Sequence, residues 1–112
     1  MRTIDGQAWC SFCGAAYSEP MHSRVFRIDG ERVRVVYPER IEYHDIIPRS
    51  HGGDPEDLEN QCPLCVECHT KHHSQGGMRL TFLPDRIVRA DGVTRTLEAR
   101  HRSAASAVGG EA

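Results

Sequence analysis

The sequence turns on Tyr43-His44-Asp45-Ile46-Ile47-Pro48, followed by Asn60-Gln61-Cys62-Pro63-Leu64-Cys65-Val66-Glu67-Cys68-His69 and then His73. Ile41 to Ile47 reads as a short strand, and Pro48, Gly52 and Gly53 force a loop behind it. From Val66 to Ser74 the chain reads as a helix that ends at Gly76-Gly77. His69 and His73 stand four apart on that helix and so project from one face, whereas His72 points elsewhere.

Working outward from this stretch, Asp54-Pro55-Glu56-Asp57-Leu58 resembles a single helical turn, with an N-cap and a proline at the first position. Upstream, Val25 to Ile28, Asp29-Gly30 and Arg32 to Tyr37 form a hairpin pattern, because Asp-Gly between β-branched runs suits a tight turn. Pro38 closes its second strand. Cys10-Ser11-Phe12-Cys13-Gly14 reads as a knuckle turn, and Met1 to Trp9 carries no strong signal. Downstream, Arg79 to Leu83 reads as a strand and Pro84-Asp85 as a turn; Ile87-Val88-Arg89 with Asp91-Gly92 makes a second hairpin. Thr96 to about Ala107 reads as a C-terminal helix, and residues 103–112 as a flexible tail behind a single domain over 1–102.

A chain of 112 residues is near the size at which one apolar core becomes marginal. With 38% hydrophobic and 6% aromatic residues the core is thin, so a further staple is expected, and five cysteines with seven histidines point to metal. The odd cysteine count, with no apolar run at the N-terminus, favours a reducing cytoplasm. Charges interrupt every hydrophobic run, so no membrane span is expected. The net charge of −2 is unevenly spread. Glu39 to Asn60 holds seven acids against two bases, which suits a cation site, whereas Arg79 to Arg102 holds six arginines against three acids. That second stretch suits either a phosphate backbone or a merely solvated face.

Cys10 and Cys13 form one Cys-x-x-Cys pair and Cys65 and Cys68 another, the spacing by which a tetrahedral zinc collects two thiolates from each turn. The long gap between the pairs is no obstacle. Loop closure costs only about 0.6 kcal/mol per doubling of length, against roughly 10–16 kcal/mol of apparent binding free energy from structural zinc. Disulfides and a redox-active pair are the competing readings, and zinc is preferred because nothing indicates export and two pairs are present. Cys62 is left over, either a substitute ligand or a small buried thiol.

His44-Asp45-Ile46-Ile47-Pro48, Gly52-Gly53, Asn60, Leu64-Cys65, Cys68-His69 and His73 together resemble the HNH, or ββα-metal, endonuclease family, in its zinc-containing branch. The resemblance implies an α+β fold: a small ββα-metal core with a structural zinc on Cys10, Cys13, Cys65 and Cys68, to which extra hairpins and a C-terminal helix are added. It further implies that His44, His69 and His73 hold a catalytic divalent ion, Zn²⁺, Mn²⁺, Ni²⁺ or Mg²⁺, the first three of which suit imidazole better. Asn60 takes the scaffold role of bonding backbone across the loop.

The departure is Asp45, which stands where the family usually places the histidine that takes a proton from water. A carboxylate, with an ordinary pKa near 3.9 against about 6.5 for imidazole, is the weaker base. Asp45 therefore serves as the base, or binds metal while His51 or His72 handles the proton, or marks a catalytically weak site. Arg49 either touches the scissile phosphate or is solvated, and Arg79, Arg86 and Arg89 are candidates for gripping DNA backbone. The implied activity is metal-dependent DNA cleavage, nicking or double-stranded, with low sequence specificity. The alternative is a catalytically weak or inactive zinc module that binds nucleic acid or protein. A cytoplasmic protein of bacterial or phage origin, of packaging, homing or restriction type, fits the resemblance, and a homodimer is compatible with it.

Overall fold

The computed structural model describes residues 1–74 and 78–97. Asp29 and Gly30 both take positive φ, 51° and 82°, so they form the tight turn whose twist matches two flanking strands. These are β2 (Met21–Ile28) and β3 (Glu31–Pro38), antiparallel with Ile28 opposite Glu31. Along β3 the period of two is clear: Val33, Val35 and Tyr37 are buried while Arg32 and Arg34 face outward. Strand β1 (Arg2–Asp5) adds to the other edge of β3 in parallel, which the sequence did not signal. Only Ile4 in it is buried, so no alternation is legible, and its partner lies far along the chain.

The central pair is β4 (Ile41–Asp45) and β5 (Gln61–Cys65), antiparallel, with His44 opposite Cys62 and Asp45 opposite Gln61. Strand β4 ends two residues short of the expected Ile47. Asn60 captures the backbone of Ile47 on both sides, its Oδ1 accepting the Ile47 N–H at 2.8 Å and its Nδ2 donating to the Ile47 carbonyl at 3.1 Å, so the ladder stops. Strand β5 was hidden by Pro63, which lacks an N–H; here its carbonyl accepts from the Ser11 N–H at 2.9 Å, tying the first knuckle to the strand.

The single turn expected at Asp54 to Leu58 is formed, the Asp57 N–H donating to the Asp54 carbonyl at 3.2 Å, without becoming an α-helix. The Asp54 side chain caps it by accepting the Glu56 N–H and pairs with Arg27 of β2, while the Glu56 carbonyl accepts the Arg27 N–H, so the segment is pinned against the hairpin. A short 3-10 turn follows at Leu58–Asn60, capped by Asp57. Helix α1 (Val66–Ser74) starts directly from β5 and matches its expected bounds. A meander of β6 (Leu80–Leu83), β7 (Arg86–Arg89) and β8 (Thr94–Thr96) follows. Thr96 pairs with Arg86 in β8, which corrects the start of the expected C-terminal helix. Leu97 is likewise not helical, its N–H donating to the Asp85 carbonyl at 2.8 Å, and the helix expected from residue 98 on, the tail at 103–112, Gly76-Gly77, Arg100 and Arg102 lie outside the described residues.

The core is shared by all three sheets, with Phe26, Val33, Val35, Ile41, Leu58, Leu64 and Ile87 fully buried. Tyr43 joins the hairpin to β4, its ring edge-on to Phe26 and Tyr37 at 5.1 and 4.8 Å. The architecture is α+β: among the described residues, three small sheets and one short α-helix. No described helix is long and apolar enough to cross a membrane.

Candidate metal centres and active site

The two knuckles meet. Cys10 and Cys13 lie in the N-terminal turn, Cys65 ends β5 and Cys68 is in the first turn of α1, and their four sulfurs lie within 4.8 Å of one another. Cys13 Sγ and Cys65 Sγ are 3.8 Å apart. Four sulfurs bound at about 2.3 Å to a tetrahedral zinc would be separated by about 3.8 Å. Gly14, at φ 81°, closes the first knuckle, and the N–H groups of Phe12 and Cys13 donate to Cys10 Sγ, as that of Cys68 does to Cys65 Sγ, each at 3.4 Å. Burial raises the thiol pKa of Cys10, but these backbone donors outweigh it and hold the net value below the ordinary one. Burial, and then the negative charge of Cys10, push Cys65 and Cys68 up. A divalent cation at the centre removes that repulsion, so the donor set fits zinc. None of the five cysteines is in a disulfide, and Cys62 lies in the apolar core outside the group of four.

Strand alternation divides β4 into two faces. Ile41 is buried and Tyr43 packs on the hairpin, while Glu42 and His44 turn to α1. His44 donates Nδ1–H to the Asp45 carbonyl at 2.9 Å, leaving Nε2 for an ion. His69 donates Nδ1–H to Glu42 Oε1 at 2.5 Å, again leaving Nε2. His69 Nε2 and His73 Nε2 are 3.1 Å apart. Two imidazole nitrogens at about 2.0–2.1 Å from one tetrahedral ion would stand about 3.3 Å apart, so this pair fits a shared cation. Burial, and then the nearby His69 and His73, hold His44 below its ordinary pKa, favouring the neutral ligand form.

His72 differs from its sequence reading. It is buried and faces inward, and its ring nitrogen lies within 4.8 Å of those of His44 and His73. Its Nδ1 accepts the Leu80 N–H at 2.8 Å, however, so the neutral ring carries its proton on Nε2 and has no lone pair left for metal. Burial and the surrounding imidazoles push its pKa down to about 4, which keeps that neutral form. Among the described residues the histidine nitrogens that cluster within 4.8 Å are those of His44, His72 and His73, and His69 meets the group through His73 Nε2; with its Nδ1 spent on Leu80, His72 is a wall of the site.

A cavity of about 520 Å³ opens beside these rings, lined by Arg24, Tyr43, His44, Asp45, Arg49 and His69 among others. Asp45 faces away from His44 by strand alternation, and its Oδ1 accepts Gln61 Nε2–H at 2.7 Å. It is not among the clustered ligand atoms. Asn60 bonds Ile47 on both sides and also donates to the Asp54 carbonyl at 3.1 Å, closing the loop between the strands. His51 is exposed, its Nδ1 on Ser50 Oγ, and does not line the cavity.

Of the expected phosphate-gripping arginines, only Arg49 reaches the cavity. Arg79 is exposed between α1 and β6, and Arg86 pairs with Asp85. Arg89 pairs with Asp91 and lies over the Phe12 ring, where Arg95 also sits, so both fasten the meander to the first knuckle. Two residues escaped the sequence reading. Glu42 was marked by standing two positions before His44, on the same strand face. Arg24, an outward position of β2, had no local signal, because only the folded hairpin carries it to the cavity.

No curated protein and no solved structure matches the chain. Residues 29–75 match the family model described as HNH endonuclease. That span runs from the hairpin turn through β4, the Asn60 loop and β5 to the end of α1, leaving Cys10, Cys13 and the meander outside it. Residues 29–75 are thus similar to HNH endonucleases, and the four-cysteine cluster beside them is consistent with the zinc-containing type.

Proposed function

We propose that the protein is a divalent-metal-dependent endonuclease that hydrolyses DNA phosphodiester bonds with low sequence specificity. The observation that carries this reading is the convergence of His44, His69 and His73 beside an open cavity that also presents Arg24 and Arg49. The three histidines would hold the ion through Nε2, with Glu42 orienting His69. Such an ion, when bound, polarises a phosphate oxygen and lowers the pKa of water. Arg24 and Arg49 draw the phosphate into the cavity, and Asp45 takes the proton of the attacking water, its carboxylate oriented by the Gln61 amide. Asn60 is a positioning residue that keeps the loop shut over β4 and β5. Low specificity follows from a cavity whose arginines, Arg24 and Arg49, would meet phosphate rather than base edges.

Purified protein with Mn²⁺, Ni²⁺ or Mg²⁺ is expected to nick supercoiled plasmid, and His44→Ala to abolish nicking with zinc content and fold retained. Protein that cleaves nothing with any divalent ion refutes the enzyme reading. Double-strand cuts need two visits or a homodimer, and the ratio of nicked to linear product over time separates these. The second reading, a zinc module that binds nucleic acid or protein without turnover, is favoured by one observation: Asp45 sits on the opposite strand face from His44, already engaged by Gln61.

A further inference from the structure

His44 is gripped from a direction the HNH segment does not supply. Strand β6 lies beyond residue 75, and its Phe82 ring stacks on the His44 imidazole, centroids 4.4 Å apart and planes 19° from parallel. On the same strand Leu80 donates its buried N–H to His72 Nδ1. His72 in turn meets His44 edge-on at 5.1 Å and Phe82 edge-on at 5.4 Å, so the two flat rings close against a third whose orientation the backbone fixes.

This matters because the terminal torsion of histidine is broad and sets no plane by itself. The Nδ1–H bond to the Asp45 carbonyl leaves the imidazole free to tilt about that contact. A tilt of the ring swings Nε2 away from His69 and His73. A flat aromatic face on one side and an edge on another remove that freedom.

We propose that strand β6 belongs to the histidine centre, with Phe82 a positioning residue that sets the plane of His44 and His72, locked by the Leu80 N–H, the ring that closes the stack. The inference rests on the reading of His44, His69 and His73 as ligands, and predicts that the centre needs residues beyond the family segment.

The test uses the full chain with its cysteine zinc in place and Co²⁺ as probe of the histidines, followed by its visible absorption. Phe82→Leu keeps apolar bulk but no flat face, whereas Phe82→Tyr keeps the face. Phe82→Leu is expected to weaken Co²⁺ binding roughly 10-fold or more, the size of loss seen when a supporting contact to a ligand is removed. Phe82→Tyr is expected to restore it, with zinc content and unfolding midpoint unchanged in both. Without Co²⁺, the His44 ring-proton resonances displaced by the Phe82 ring current are expected to move in Phe82→Leu and stay in Phe82→Tyr. Should the leucine variant not fold, Phe82→Met carries the same expectation. Wild-type and Phe82→Leu proteins that bind Co²⁺ equally overturn this proposal alone. Wild-type protein that binds no more Co²⁺ than His44→Ala overturns it together with the ligand reading.

Discussion

Glu42 and Asp45 are carboxylates on one strand, and alternation along β4 gives them different surroundings. Glu42 faces α1 and takes the His69 Nδ1–H, so it raises the basicity of the Nε2 that His69 would offer to the proposed ion. Glu42→Gln is expected to weaken the histidine-bound ion roughly 10- to 100-fold, measurable by calorimetric titration, while leaving the cysteine zinc intact. Asp45 faces the cavity with its carboxylate held by Gln61. If it is the base, Asp45→His preserves or raises the nicking rate and Asp45→Asn lowers it sharply; three equal rates remove it from the mechanism. That His44, His69 and His73 come near one another was legible because helix spacing and the proline-linked motif lie in local sequence, whereas the inward turn of His72 was not. Glu42 was half legible, through strand alternation. Arg24 and Phe82 were not, since neither stands near His44 in sequence, and only packing of separate sheets brings them there.

Between β4 and β5 the loop is held by Asn60 at one end and, at the other, by Arg27, which pairs with both Asp54 and Glu56. Asn60 satisfies three backbone groups, so Asn60→Ala is expected to lower stability by about 1–3 kcal/mol, read by urea unfolding, and to depress nicking more than the stability loss explains. Gly53 lies against the same clamp. A Cβ there would meet the Ile47 carbonyl oxygen at 1.7 Å, so Gly53→Ala has to displace the loop and should mimic the Asn60 variant. Asp54 ties the loop to β2, its pKa lowered first by the Glu56 N–H and then by Arg27. A depressed carboxylate contributes stability above its unfolded value and loses it as pH falls through the folded one. The loop amides are therefore expected to keep their hydrogen-exchange protection at neutral pH and lose it only below about pH 4. The Asp-Gly hairpin was readable because its turn chemistry is local; β1 and β5 were not, the first for want of alternation, the second because Pro63 and the cysteine spacing masked a strand.

Among the described residues, three small sheets share a thin core to which Cys10 and Cys65 of the cysteine cluster belong. Zinc at such a cluster binds with roughly 10–16 kcal/mol of apparent free energy, against about 5–15 kcal/mol for the net stability of a typical domain. Chelation is therefore expected to unfold the chain, seen as loss of its circular-dichroism signal, with refolding when zinc returns. The arginines that looked like a DNA stripe show what composition conceals: Arg89 and Arg95 hold the meander onto Phe12, inside the first knuckle. Cys68 and His69, finally, are consecutive residues of α1, so one peptide bond would link a ligand of each centre if His69 binds the proposed second ion. Two ions that order the same turn are thermodynamically coupled, and coupling is reciprocal: the factor by which zinc tightens the second ion is the factor by which that ion tightens zinc. The protein would then fill both centres cooperatively, and a cell short of zinc would lose cleavage and fold together.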